Sequence, residues 1–340
     1  MISPAAELMD ADLTTLDRTA TYVETQRAVA TTAARLADAA RNAARAQWTA
    51  LKGGVAGEAI IDPEALLLVS LWLLPRDPAL RVTVHDWIAQ WSDLLSVQRT
   101  RNLAKAYSGE VQGELRAVAV TAQERGKDFR WSPIIKGSES GTRTSSAADS
   151  DAEAADGTLD DGRMPVERAA LLVLRFRMAL GVGARADALA YLLARGDAWS
   201  TVTEIAQATG YTPSAVRRAL DRMAAAKIVL MVDDGATRYR CDPAPWAALL
   251  SLQAPVAPWQ YWQQHFTFVA TFVEWADGVA RRKLTAYAIT EGMRSVARKF
   301  RPTDDRDGLH AWDVAFRDGS TLAAMDAALA GVAAAMRSAA

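Results

Sequence analysis

The sequence predicts a mainly α protein, helical at both ends, with one small β-hairpin in its second half. Three observations predict this class. Apolar residues recur three and four positions apart along most of the chain. One segment, 228–241, alternates with period two instead, and Asp234-Gly235 interrupts it as a turn signal. One stretch, 137–162, has neither pattern and divides the helical part in two.

Residues 1–136 read as an all-α N-terminal domain. Residues 1–50 are Ala-rich with leucine and valine at helical spacing, and 64–74, 82–95, 96–107 and 109–125 read as further helices. "PRDP" at 75–78 stops one helix, Ser96 can cap another, and Ser108-Gly109 separates two more. Val84, Trp87, Ile88, Trp91, Leu94 and Leu95 stand three and four apart, a core face first and a partner face second.

Residues 137–162 hold seven acidic residues and one arginine, a net charge of −6, with almost nothing large and apolar. Such a segment cannot bury enough surface to offset the entropy of ordering it, so it reads as a disordered acidic linker. Asp149 and Asp151 have the spacing of a metal-holding carboxylate pair. They flank Ser150 in a polar run with no strand signal, so the match is to letters alone.

Residues 163–183 read as a connecting helix over 165–181, with Pro165 suited to its start and Gly181 to its stop. From 184 the pattern tightens. Ala188, Leu189, Leu192 and Leu193 make one apolar face of a short helix. In the next, Thr203 is a plausible cap, Glu204 lies in the first turn, Ile205, Ala206 and Ala208 face inward, and Gly210 ends it. Thr212 then offers a capping oxygen, Pro213 sits where its missing N–H costs nothing, and Val216, Leu220 and Met223 recur at i, i+4 and i+7. By elimination Ser214, Arg217, Arg218, Asp221 and Arg222 face outward. Ile228–Val232 and Thr237–Cys241 read as strands around a two-residue turn at Asp234-Gly235, with Arg238 and Arg240 on one side and Tyr239 on the other. Residues 243–340 read as a helical C-terminal region: an aromatic helix at 259–277, a basic one at 280–300 and an Ala-rich one at 320–338. The aromatic run, Trp259 to Trp275, suits a core, an interface or a ligand pocket, in that order, and His265 within it reads as a polar edge residue.

Helix, short helix, glycine turn, capped helix and two-stranded wing is the order of a winged helix-turn-helix. Residues 184–242, above all "TEIAQATGYTPSAVRRALDRMAAAKIV", resemble the DNA-binding domain shared by MarR-like and ArsR-like bacterial regulators. The resemblance implies a recognition helix over 212–226 in the major groove and a wing over 233–240 on the backbone or in the minor groove. Arginine's fork suits both tasks, because it can bond guanine edges or phosphate oxygens. The candidate DNA-binding residues are therefore Thr212, Ser214, Arg217, Arg218, Arg222, Arg238 and Arg240. Ser214, Arg217 and Arg218 are expected in the groove and Arg222 on the backbone.

Charge tempers this expectation. Residues 212–240 carry six basic and three acidic groups, a net +3, while the whole chain is −1 from 39 basic and 40 acidic side chains. A chain-wide polyanion surface is excluded, and a homodimer with two recognition helices about one DNA turn apart is expected to supply the missing affinity. The acidic linker can compete with double-stranded DNA for these arginines. A protein partner bound through the wing or the flanking helical regions, as in a scaffold or antitoxin-like protein, is the alternative.

Other classes find less support. Cys241 stands alone, so no intramolecular disulfide is possible, and His85, His265 and His310 are too scattered for a zinc site. There is no G-x-G-x-x-G, P-loop or G-x-S-x-G, so neither an enzyme nor a cofactor is expected. The N-terminus lacks a secretory pattern, and the longest apolar run, 65–74, is about half a bilayer span. A cytoplasmic protein without membrane contact is expected.

Overall fold

In the computed structural model the described residues are 4–136, 164–251, 256–300 and 306–340, apart from 56, 58, 283 and 318. Residues 137–162, expected from the sequence as an acidic linker and containing Asp149 and Asp151, lie outside them. The elements run α1 (Pro4–Leu51), α2 (Pro63–Leu73), α3 (Leu80–Trp91), α4 (Val97–Ala104), α5 (Gly109–Glu124), α6 (Ser132–Lys136), α7 (Leu172–Leu180) and α8 (Ala184–Ala194). They continue with β1 (Ser200–Thr201), α9 (Val202–Thr209), α10 (Pro213–Ala225), β2 (Leu230–Asp233), β3 (Thr237–Arg240) and α11 (Pro243–Leu250). The chain closes with α12 (Trp262–Ala280), α13 (Ala286–Ala297), α14 (Arg306–Ala315) and α15 (Leu322–Ala339). This is the mainly α class the sequence predicts. Two compact units form, Met1–Ala44 with Tyr261–Ala340, and Arg45–Gln260.

Two helices of the Arg45–Gln260 unit, α2 and α8, are apolar and almost wholly buried. Asp62 caps α2, accepting from the Ala65 amide at 3.1 Å, and Pro63 opens it without wasting a donor. Every residue of α2 is buried, Glu64 and Ser70 included. Ser96 caps α4 through the Arg99 amide at 3.3 Å, as its position before the helix suggests. Val84, Trp87, Ile88, Leu94 and Leu95 are all buried. The helix expected over 165–181 starts later, at Leu172 after a 3-10 turn over Ala169–Leu171. The reason lies upstream: the Arg168 guanidinium donates to the carbonyls of Gly53 and Gly54, and the Ala170 carbonyl accepts from the Ile61 amide at 2.8 Å, which holds this stretch out of helix. Helix α8 is buried from Ala186 to Leu193 rather than on one face, because α7, α9, α10 and α11 all pack around it.

The winged segment follows the expected order, with local corrections. Thr201, not Thr203, caps α9: its hydroxyl accepts from the Glu204 amide at 3.3 Å while the Glu204 carboxylate accepts from the Thr201 amide at 2.6 Å. Glutamate at the third helical position makes this reciprocal box possible, whereas a cap at Thr203 would leave Glu204 too early to close it. The expected strand Ile228–Val232 is shifted to Leu230–Asp233, since Ile228 is still held by its amide to the Met223 carbonyl at 2.9 Å. Asp233 pairs with Thr237, so the hairpin loop has three residues, with Gly235 at φ 101, a conformation a side chain would strain. The two-stranded wing gains a short third strand, in the order β1-β3-β2, antiparallel throughout.

The other unit carries the aromatic C-terminal region. Helix α12 buries Trp262, Phe266, Phe268 and Phe272, and Phe268 stacks on Phe300 with centroids 4.2 Å apart. His265 is fully buried, not at an edge: its Nδ1 lies 2.9 Å from the Tyr261 carbonyl and its ring meets Phe300 edge-on. Burial lowers its pKa and keeps the ring neutral. The basic stretch 280–300 is divided, with α12 running to Ala280 and Thr285 capping α13. Helix α1 joins α15 through Arg35, whose guanidinium bonds Asp326 at 2.6 Å. By length and composition α15 could cross a membrane, but Met325, Leu329, Val332, Ala333 and Met336 are buried in this unit.

Candidate nucleic-acid interface

Helix α10 is placed by its apolar side. Val216, Leu220 and Met223 are buried, and the helix packs on α8 and α9. The turn before it needs a residue free of Cβ, and Gly210 supplies it at φ 72. Thr212 caps α10 through the Ala215 amide at 3.3 Å, and its hydroxyl lies 3.2 Å from that of Ser214. The side opposite the core carries Ser214, Arg217, Arg218, Asp221 and Arg222, all exposed. The guanidinium groups of Arg217, Arg218 and Arg222 form no hydrogen bond or salt bridge with other described residues.

Asp221 is exposed but engaged. Its carboxylate accepts from the hydroxyl of Tyr239 at 2.7 Å, and Tyr239 is itself completely buried on β3. Burial and this bond push the Tyr239 phenol up to about 12, so it remains a donor. One hydrogen bond thus pins the wing to the helix and occupies the one acid on the helix's arginine face.

The wing arginines are less available than those of α10. Arg238 pairs with Asp234. Arg240 reaches Asp197 at 3.4 Å and lies over the Trp199 ring, 5.1 Å from its centroid. Both pairs are at the surface, where such contacts are worth about 0–1 kcal/mol, so a phosphate can compete for either arginine. Cys241, after β3, is buried, and burial drives its thiol up to about 12, an unreactive state.

Behind the turn lies a cluster that motif reading passes over. Arg177 on α7 and Arg99 on α4 are buried together with Asp62, Glu64 and Asp187. Arg177 grips Asp187 at 2.8 and 2.6 Å and Glu64 at 2.6 and 3.0 Å, and it also donates to the Leu94 carbonyl. Arg99 bonds Asp62 at 2.6 and 2.5 Å and Glu64 at 2.5 Å, and its Nε donates to the Thr209 carbonyl at 2.7 Å. Thr209 is the last residue of α9. The turn that aims α10 is therefore held by a guanidinium from the N-terminal helices. Burial alone would raise the Glu64 carboxyl, but Arg177, Arg99 and the Ser96 amide outweigh it and hold it at about 2. Charged letters inside apolar runs, "DPEALLLVS" and "LVLRFRMAL", are the sequence signal for this cluster.

A winged helix with a capped, arginine-faced second helix is what the geometry gives. Residues 183–235 match the MarR family. The matched stretch holds α8 to β2 and ends within the hairpin loop, and so contains the whole MarR-type helix-turn-helix; the return strand β3 and the helices on either side lie outside the match. No curated protein and no solved structure matches the chain.

Proposed function

We propose that this chain is a sequence-specific DNA-binding transcriptional regulator that acts as a homodimer. Helix α10 reads the major groove, with Ser214, Arg217 and Arg218 at base edges and Thr212 and Arg222 at the backbone. Arg238 and Arg240 reach phosphates or the adjacent minor groove once their surface acids are displaced. The observation that carries the reading is the set of three exposed arginines, without ion-pair partners among the described residues, on the outer face of a rigidly capped helix in a MarR-type segment. A cytoplasmic, non-enzymatic role without a cofactor accompanies it.

A partner protein is the second reading, and one observation favours it. Strand β2 is an edge of the sheet, and its Leu230 and Met231 are 47% and 51% exposed, an apolar surface that phosphate contacts do not use.

Fluorescence anisotropy with the DNA upstream of the protein's own gene, at several salt concentrations, separates the two. A regulator loses affinity steeply with salt, and the R217A/R218A double variant loses the difference between operator and random DNA. Salt-insensitive binding that is identical for wild type and double variant overturns the DNA reading. Co-purification of a protein that survives nuclease and is lost on Met231→Lys supports the second.

A further inference from the structure

Away from the winged segment, α4, α5 and α6 enclose a half-open cleft of about 360 Å³. That volume is within the range of small-molecule sites, roughly 300–1,000 Å³. Three cations line it, Arg101 from α4, Lys105 just after that helix and Arg116 from α5, and no carboxylate does. Glu114, which lies between Gln112 and Arg116 in sequence, is committed elsewhere, in a two-pronged pair with Arg81 at 2.6 and 2.9 Å.

The walls are already set. Gln112 donates to the Ala104 carbonyl and ties α5 to the end of α4, while Asn102 accepts from Gln98 at 3.2 Å and from Lys105 at 3.4 Å. Leu115 and Ile134 supply an apolar side. Arg116 is half-buried, so part of its guanidinium is already withdrawn from water where the residue lines the cleft. Three like charges around one concavity repel each other, in contrast to the buried cluster, where each guanidinium faces carboxylates.

We propose that this cleft binds a small organic phosphate, with Arg101, Lys105 and Arg116 around the phosphate and Leu115 and Ile134 against an apolar body. A dianion matches three cations better than a single carboxylate does, and the guanidinium fork fits phosphate oxygens in pairs. The cleft shares no residue with the DNA-reading face.

Calorimetric titration of the full chain with phenyl phosphate, inorganic phosphate and phenol tests it. Phenyl phosphate binds saturably with a Kd of about 1 mM or tighter, and phenol and inorganic phosphate each bind at least about tenfold more weakly. R101Q/R116Q weakens phenyl phosphate by about tenfold or more, while R217A/R218A leaves it unchanged. Arg101 and Lys105 are exposed, so R101Q/K105Q provides the same reading should the loss of Arg116 disturb folding. Absence of saturable binding, binding unaffected by the cleft variants, or binding abolished by R217A/R218A overturns the proposal.

Discussion

The chain uses arginine in two opposite ways within one compact unit. Arg99 and Arg177 are buried, and their guanidinium groups bond carboxylates and carbonyls of the protein itself. Arg217, Arg218 and Arg222 are exposed and have no ion-pair partner among the described residues. The first pair has exchanged hydration for a fixed geometry and is unavailable to any ligand. The second set retains its hydration and its freedom, which is the condition for exchanging water for an outside anion. Availability, more than charge, separates an ordering arginine from a recognising one.

The largest expected effect breaks the buried side of this comparison. Removing one partner from a buried ion cluster costs about 3–5 kcal/mol, because the others keep their desolvation penalty. Glu64→Gln and Arg99→Met should therefore shift urea unfolding of the full chain by that amount; a loss below about 1 kcal/mol would mean that water reaches the cluster. The acid limb follows with a definite sign. Glu64 is held at about 2 against an ordinary 4.5, so its contribution is fully present above pH 4.5 and is lost as pH falls toward 2. Acid unfolding monitored by circular dichroism should begin in that window in wild type and be blunted in Glu64→Gln.

The exposed side should respond the other way. R217A/R218A is expected to leave stability within about 0.5 kcal/mol. It should cost about 1–3 kcal/mol of discrimination for each base pair no longer read, measured as the affinity ratio between operator and random duplex. A smaller step comes from Tyr239→Phe. It removes the bond to Asp221, costs about 1 kcal/mol in stability, and leaves a free carboxylate beside the recognition arginines. DNA affinity should fall severalfold with sequence preference intact, measured by anisotropy on both duplexes. The smallest effect belongs to Arg240→Ala, since this arginine already shares itself with Asp197 and Trp199. All sequences should weaken alike, and the salt slope should drop by about 1.

Much of the helix-turn-helix was legible because its signals are local. Thr212, Pro213 and the spacing of Val216, Leu220 and Met223 each act within a few residues of themselves, and α10 formed where they said. Exposure of Ser214 and the three arginines followed from the same spacing. The capping box was within reach too, since Thr201 and Glu204 stand at the required interval, but Thr203 lay closer to the apolar run and drew the cap to itself. The buried cluster was not legible. Arg177 meets Glu64 across 113 positions and Arg99 meets the Thr209 carbonyl across 110, and a single sequence carries no record of which distant charges meet. The wing register failed for another reason: Ile228 looks like a strand residue, yet the helix exit still holds its amide.

The Arg99 bond to the Thr209 carbonyl bears on whether this reader could be grafted onto another body. A transplant of residues 183–235 would carry Asp187 away from Arg177, the guanidinium that offsets it, and would strip the turn of its outside brace. It would also end before Tyr239 and lose the pin between wing and helix. In this chain the segment that matches the MarR family takes part of its alignment from helices that the match does not include.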